Sequence, residues 1–154
     1  MTRLRAVVID LDGALGDTGP LWRDWLVSAG TVLGVAEEAL PADRGEAAAE
    51  LDRRGAGNWR TLLERFSEDR APIYLRRDSP TSIALRELAA TGRPIGIFTD
   101  APEPLAQVAL TQLGAQRRIS ALETGTGALD RLLFRLGADA VVVRTRSELL
   151  ELAT

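Results

Sequence analysis

Arg5-Ala-Val-Val-Ile-Asp-Leu-Asp-Gly13 sets a continuous apolar run against two acids spaced two residues apart, with a glycine directly after them. A short unbroken apolar run closed by an acid is the signature of a parallel strand buried on both faces. Ligands of an open parallel sheet bind beyond the carboxyl ends of its strands, so these acids stand where chemistry would be done. If the extended geometry persists, Asp10 and Asp12 project to the same side. Like charges so close need a cation, an arginine or a shared proton. Gly13 permits the tight turn that lets a ligand approach the backbone.

Similar runs recur downstream. Pro94-Ile-Gly-Ile-Phe-Thr99 follows a predicted helix that starts at Ser79-Pro80, with proline in its first turn, and stops at Gly92. Asp100 and Glu103 read as a capping box for the next helix, which carries Leu105, Val108, Ala109 and Leu113 on one stripe and ends at Gly114. A strand from Ile119 to Leu122, a helix through Leu132, Leu133 and Leu136, a strand from Ala140 to Val143 and a short helix capped by Ser147 complete the alternation. Between Gly16 and Asp78 helical periodicity takes over and no strand pattern remains. Trp22, Trp25, Leu26, Ala29 and Leu33 fall at helical spacing, as do Trp59, Leu62, Leu63 and Phe66, and residues 42–54 read as a third helix. The expected organisation is a small α/β core from residues 1–15 and 79–154, with a helical cap, residues 16–78, inserted after the first strand.

Composition narrows the chemistry. With 154 residues, 45% of them hydrophobic, there is material for one compact core and no room for a second full domain. A formal charge of -3 provides no basic field for a phosphodiester backbone, so nucleic acid is not an expected partner. The chain has no cysteine and no histidine, which removes thiolate and Ser/His catalysis and any His- or Cys-ligated zinc site. It also has no lysine, so all 19 basic residues are arginine, and Schiff-base chemistry and a P-loop lysine go too. No stretch approaches the ~18 apolar residues that cross a bilayer, so the expectation is a soluble, cytoplasmic protein that does not engage a membrane.

Val8-Ile-Asp-Leu-Asp-Gly-Ala-Leu-Gly-Asp-Thr18 resembles the first motif of the haloacid dehalogenase-like (HAD) hydrolase superfamily, Asp-x-Asp-Gly-Thr. The order of elements is similar as well: a helical cap after the first motif, then a Ser or Thr ending the second strand, a place that Thr99 fills. The resemblance implies an α/β, HAD-like open parallel (Rossmannoid) sheet whose alternation stops at the fourth strand, where many relatives continue to a fifth. It implies that Asp10 is a nucleophile that forms an aspartyl phosphate, and that Asp12 is the general acid/base. Thr99 and Asp100, at the start of the following helix, would meet the phosphoryl group, and a magnesium ion would sit among Asp10, Asp12 and an acid after the fourth strand.

The departures from that pattern are as informative as the match. Ala14 replaces the usual Thr of the first motif. The family's third motif is a Lys, less often Arg, and where it should fall this chain offers Arg131, with Arg117 and Arg118 upstream. The fourth motif, normally Gly-Asp with a further acid, reads Val143-Arg-Thr-Arg-Ser-Glu148, leaving Glu148 as its one acid. Arg144 and Arg146 put positive charge where magnesium wants negative, and either guanidinium could instead pair with Asp10 or grip a phosphate.

Two functions follow from the resemblance. One is a magnesium-dependent hydrolase of small phosphorylated metabolites with Arg in place of Lys. The other is a non-catalytic module that binds a phosphorylated ligand, a protein partner or a second copy of itself. Plainer readings stand beside both: turn-forming and helix-capping aspartates, a simple glycine turn at Gly125-Thr-Gly127, surface arginines, and a Trp22/Trp25 pair that belongs to the core of the cap.

Overall fold

The computed structural model describes residues 4–154. Four parallel strands, β1 (Val7–Asp10), β2 (Ile95–Thr99), β3 (Ala121–Thr124) and β4 (Val141–Val143), form one sheet in the order β3-β2-β1-β4. Three helices, α1 (Gly19–Leu33), α2 (Arg44–Arg53) and α3 (Trp59–Tyr74), follow β1 and precede α4 (Ser79–Ala90), which leads into β2. Helices α5 (Glu103–Gln112) and α6 (Ala128–Leu136) connect the next strands, and α7 (Arg146–Ala153) follows β4. This is the α/β parallel sheet with a helical insertion that the sequence pattern predicts.

The apolar run of β1 is buried on both faces because the sheet is covered on both. Val7 and Ile9 join a cluster built from α4, α5 and α7, whereas Val8 faces α6 with Phe98 and Leu132. The α6 side approaches closely at Gly96, where a Cβ would lie 2.7 Å from a Leu136 methyl and 2.8 Å from one of Leu132. A side chain at this strand position would push the helix off the sheet. Strand order turns back at β1, so Asp10 stands at the switch point of the sheet.

The inserted helices have a core of their own. Leu21, Trp22, Trp25, Leu51, Trp59 and Leu63 are buried together, and the cluster also takes in Ala101 and Leu105 from the start of α5. The Trp25 and Trp59 rings lie 6.0 Å apart between centroids, within aromatic contact range, and Trp59 Nε1 donates to Asp52 at 2.9 Å. Trp22 and Trp25 are thus packed inside the insertion.

Three local expectations are corrected. Residue 100 does not cap α5: the N-cap is Pro102, and Ala101, directly before that proline, is biased away from the helical region, so the helix starts at Glu103. The third strand runs from Ala121 to Thr124, later than predicted, since Gln116–Arg118 forms a 3₁₀ turn and pairing registers Ala121 against Gly96. Thr145 rather than Ser147 caps α7, because its hydroxyl accepts from the Glu148 amide at 3.2 Å and completes a Thr-x-x-Glu box. Among the described residues no helix is long and apolar enough to cross a membrane.

Replacing Trp59 by Ala should lower the free energy of unfolding by about 3–5 kcal/mol in urea, through the lost ring and the cavity it leaves. A loss below about 1 kcal/mol would show that the insertion's core does not fold cooperatively with the sheet.

Candidate active site

After β1 the backbone closes a tight loop, Leu11–Leu15, in which the Gly16 amide donates to the Leu11 carbonyl at 3.1 Å and the Gly13 amide to the Gly16 carbonyl at 2.8 Å. Gly13 sits at φ +107, and a Cβ there would come within 2.7 Å of the Arg144 carbonyl. Only glycine allows both that dihedral and that approach. The loop is thereby pressed against the residue that follows β4, and Arg144 is brought to the mouth of the cleft.

The cleft, 470 Å³ in volume, is lined by Asp10, Asp12 and Thr99 from the strand ends, by Asp100, by the Gly125–Gly127 loop and by Arg44 from the insertion. Arg44 was not singled out by the sequence pattern, yet it is the best-held side chain of the site. It is 8% exposed. Its Nη2 donates to Asp12 Oδ2 at 2.6 Å and to Asp100 Oδ1 at 2.8 Å, its Nε to Asp100 Oδ1 at 3.1 Å, and its Nη1 to Thr18 Oγ1 at 2.6 Å. Its backbone amide donates to Asp100 Oδ2 at 3.1 Å, so the first turn of α2 is capped from the core as well. The one sequence trace of this contact is Gly45, where a Cβ would stand 2.3 Å from Thr126 Oγ1 and 2.5 Å from the Thr126 amide. A glycine in the first turn of a helix marks a close approach, here of the insertion to the loop after β3.

Asp12 has no spare acceptor capacity towards this surrounding. Oδ1 accepts from the Thr18 amide and hydroxyl, each at 2.7 Å, and Oδ2 accepts from Arg44 and from Thr99 Oγ1 at 2.9 Å. Burial pushes its carboxyl up, but the Arg44 guanidinium and the bonds from Thr18 and Thr99 outweigh burial and hold it below the usual carboxylate range. Asp10 is the contrast. Burial, and next the Asp12 charge, push it up to about 6, opposed by the Asp12 amide and by Arg144. Arg144 Nη1 lies 4.0 Å from Asp10 Oδ2, outside hydrogen-bond range, with the guanidinium 5.5 Å from the centre of the Phe98 ring.

The other expected residues are engaged elsewhere. Asp100 lies in the cleft, held by Arg44. Arg131, expected at the phosphate, spends its donors on Glu123 at 2.9 Å and on the Thr124 and Thr126 carbonyls, so it braces the Gly125–Gly127 loop from behind. Glu148 is not brought to the two aspartates: its carboxylate accepts from Thr145 Oγ1 at 3.1 Å within the helix cap. Arg146 pairs with Asp78 at 2.8 Å. Among the described residues no three acids converge as a metal site. Magnesium wants oxygen ligands with several negative charges. The donor set here is Asp10 with cationic Arg144 beside it, while Asp12 is bound to Arg44, and it does not fit the ion.

No protein-family model matches the sequence, and no curated protein matches it either. Solved structures do match in shape. CbbY from Rhodobacter sphaeroides in complex with phosphate superposes with a TM-score of 0.64 at 16% identity, over 92% of this chain and 77% of that one. A HAD phosphatase from Thermococcus onnurineus gives 0.55 at 23% identity, over 92% and 77%. A beta-phosphoglucomutase from Clostridium difficile gives 0.52 at 14% identity, over 98% and 82%. The chain has the fold of the haloacid dehalogenase-like hydrolases.

Two outcomes follow from the electrostatics. Because Asp10 binds its proton more tightly folded than unfolded, its contribution to stability is complete below about pH 4 and is lost as pH rises through about 6. Asp10→Asn should therefore stabilise the protein by about 1–3 kcal/mol at pH 8, with the gain vanishing near pH 4. Denaturant titrations at the two pH values read this directly, and an equal effect at both would contradict it. Arg44→Met, which strands Asp12 and Asp100, should cost about 2–4 kcal/mol at pH 7. That loss should shrink in acid, as Asp12, no longer held down by the guanidinium, takes up a proton, and a loss under about 1 kcal/mol at pH 7 would show the cluster to be loosely held.

Proposed function

We propose that this chain is a non-catalytic HAD-fold module that binds a small phosphorylated ligand in the cleft between the sheet and α2. The observation that carries the reading is the engagement of Arg44 with Asp12 and Asp100, together with a donor set that does not suit magnesium. A general acid must hold a proton near neutral pH and reach the leaving oxygen. Asp12, ionised and bonded on both oxygens, does neither. Loss of one preorganised charge stabiliser typically costs a hundred- to a thousandfold in rate, and here the metal acids and the motif-three cation are both missing.

Binding remains feasible. Arg44 can exchange a carboxylate for a phosphoryl oxygen, which a guanidinium grips bidentately. Arg144 stands at the rim, and the first turn of α6 has no side-chain cap, which leaves its amides open to an anion. Asp10 opposes an incoming anion, and its raised proton affinity limits that repulsion. One neighbour of the same fold fits this ligand class: CbbY has been solved with phosphate and, as a mutant, with xylulose-(1,5)bisphosphate. Retention of both Asp10 and Asp12 favours the second reading, a magnesium-dependent phosphatase acting through an aspartyl phosphate at Asp10.

Calorimetric titration with a panel of sugar phosphates, with and without magnesium, alongside hydrolysis of an aryl phosphate, separates the two readings. We expect binding whose affinity changes less than about twofold with magnesium, no hydrolysis, and roughly three- to tenfold tighter binding in Asp10→Asn, which deletes an opposing charge. Magnesium-dependent hydrolysis that disappears in Asp10→Asn would establish the phosphatase instead.

A further inference from the structure

A second cavity lies outside the cleft, beside the two chain segments that link the sheet to the insertion. It is 170 Å³ in volume and more enclosed than the cleft, with Leu15 of the first loop on one wall and Leu113 on another. At ~30 Å³ per water in the liquid, that is room for a tetrahedral oxyanion with part of its hydration. Three arginines from three separate segments line it: Arg77 from the link between α3 and α4, Arg86 from α4, and Arg118 from the 3₁₀ turn after α5. None of the three forms an ion pair among the described residues, whereas Arg53, Arg60, Arg131 and Arg135 each sit on an acid.

The arrangement has features of a built site. Arg77 is fixed in place: its Nε donates to the Gln112 carbonyl at 3.2 Å, and its guanidinium lies against Gly114, where a Cβ would come 2.9 Å from Cζ. Gly114, at φ +72, thus both ends α5 and leaves space for the guanidinium, whose two Nη groups keep their donors. Asp78 is the one acid on the wall, and it is already satisfied by Arg146 and by the Thr81 amide and hydroxyl. The Ser82 hydroxyl adds a further donor. The three arginines are exposed at the rim of one cavity with Asp78 as the single acid among its lining residues, and an anion seated between like charges relieves their repulsion.

We propose that this cavity is a second anion site, independent of the cleft, which takes a dianionic oxyanion of the phosphate or sulfate type through Arg77, Arg86 and Arg118. A bound anion would tie the α3–α4 link to α4 and to the end of α5, and so would brace the junction between sheet and insertion.

Inorganic phosphate is the probe, with thermal unfolding and calorimetric titration as readouts and sodium chloride at matched ionic strength as the control. The wild type should show a phosphate-dependent rise in Tm beyond the chloride control. The double variant Arg86→Gln, Arg118→Gln should weaken phosphate binding by roughly tenfold or more, as expected for lost charge-assisted bonds. Ser82→Asp, which adds a carboxylate at an exposed wall position, should do the same without removing any arginine. Because the cleft binds phosphate groups as well in the reading above, the cavity's share is read in an Arg44→Gln background: phosphate should still raise Tm there relative to that variant's own chloride control, and adding the two cavity substitutions should remove that rise. A response that survives both cavity variants and disappears in Arg44→Gln would overturn the proposal and assign phosphate to the cleft. Absence of any response above the chloride control would overturn it as well.

Discussion

One guanidinium sets the terms for the whole cleft. Arg44 reaches out of the inserted helices and satisfies two carboxylates of the sheet at once, so it is both a structural tie and the main source of positive charge at the switch point. A buried arginine can be tolerated only with such partners, and Arg44, with the bonds from Thr18 and Thr99, in turn holds the Asp12 carboxyl below its usual range. The backbone follows suit. Asp100 accepts the Arg44 amide in the first turn of α2, whose cap is Asp43, Gly45 lets α2 settle on Thr126, and Thr18 closes the ring through its hydroxyl.

The end of β4 tells the same story from the opposite side of β1. In a magnesium site the residues there contribute negative charge. Here Arg144 and Arg146 occupy that stretch, Thr145 and Glu148 are consumed in capping α7, and Gly13 packs against the Arg144 carbonyl. Beside Asp10 the backbone is held by Gly13, and the nearest charge from the end of β4 is the Arg144 guanidinium. Packing of the sheet depends on the apolar faces of β1, β2 and β4, and of the charged residues after β4 Arg144 lies over the Phe98 ring.

Much of this was legible in the sequence, for identifiable reasons. Buried parallel strands announce themselves as apolar runs, so β1, β2 and β4 were read within a residue or two, and the tryptophan spacing exposed the helices of the insertion. Asp10, Asp12, Thr99 and Asp100 could be placed at the cleft because strand ends are where an open sheet presents side chains. Arg44 could not. Its partners are 32 and 56 residues away, no period or spacing connects them, and in a chain with 19 arginines its identity carries no signal. Asp100 and Ser147 are not the caps for a shared reason, that several residues near a helix start can serve: Pro102 sets the start of α5 beyond Asp100, and at α7 the Thr145 hydroxyl accepts the Glu148 amide.

The saturation of Arg44 also shapes what a calorimeter would register. A ligand that takes this guanidinium must displace a carboxylate already holding it, so the exchange replaces one ion pair with another rather than creating one from solvated charges. The heat released reflects a difference between two similar contacts and is small. Few counterions change place, and affinity varies little with salt. On the proposed reading, association at this cleft would be a swap of partners within a closed set of charges, with selectivity set by how well the ligand's oxygens imitate the carboxylates they replace.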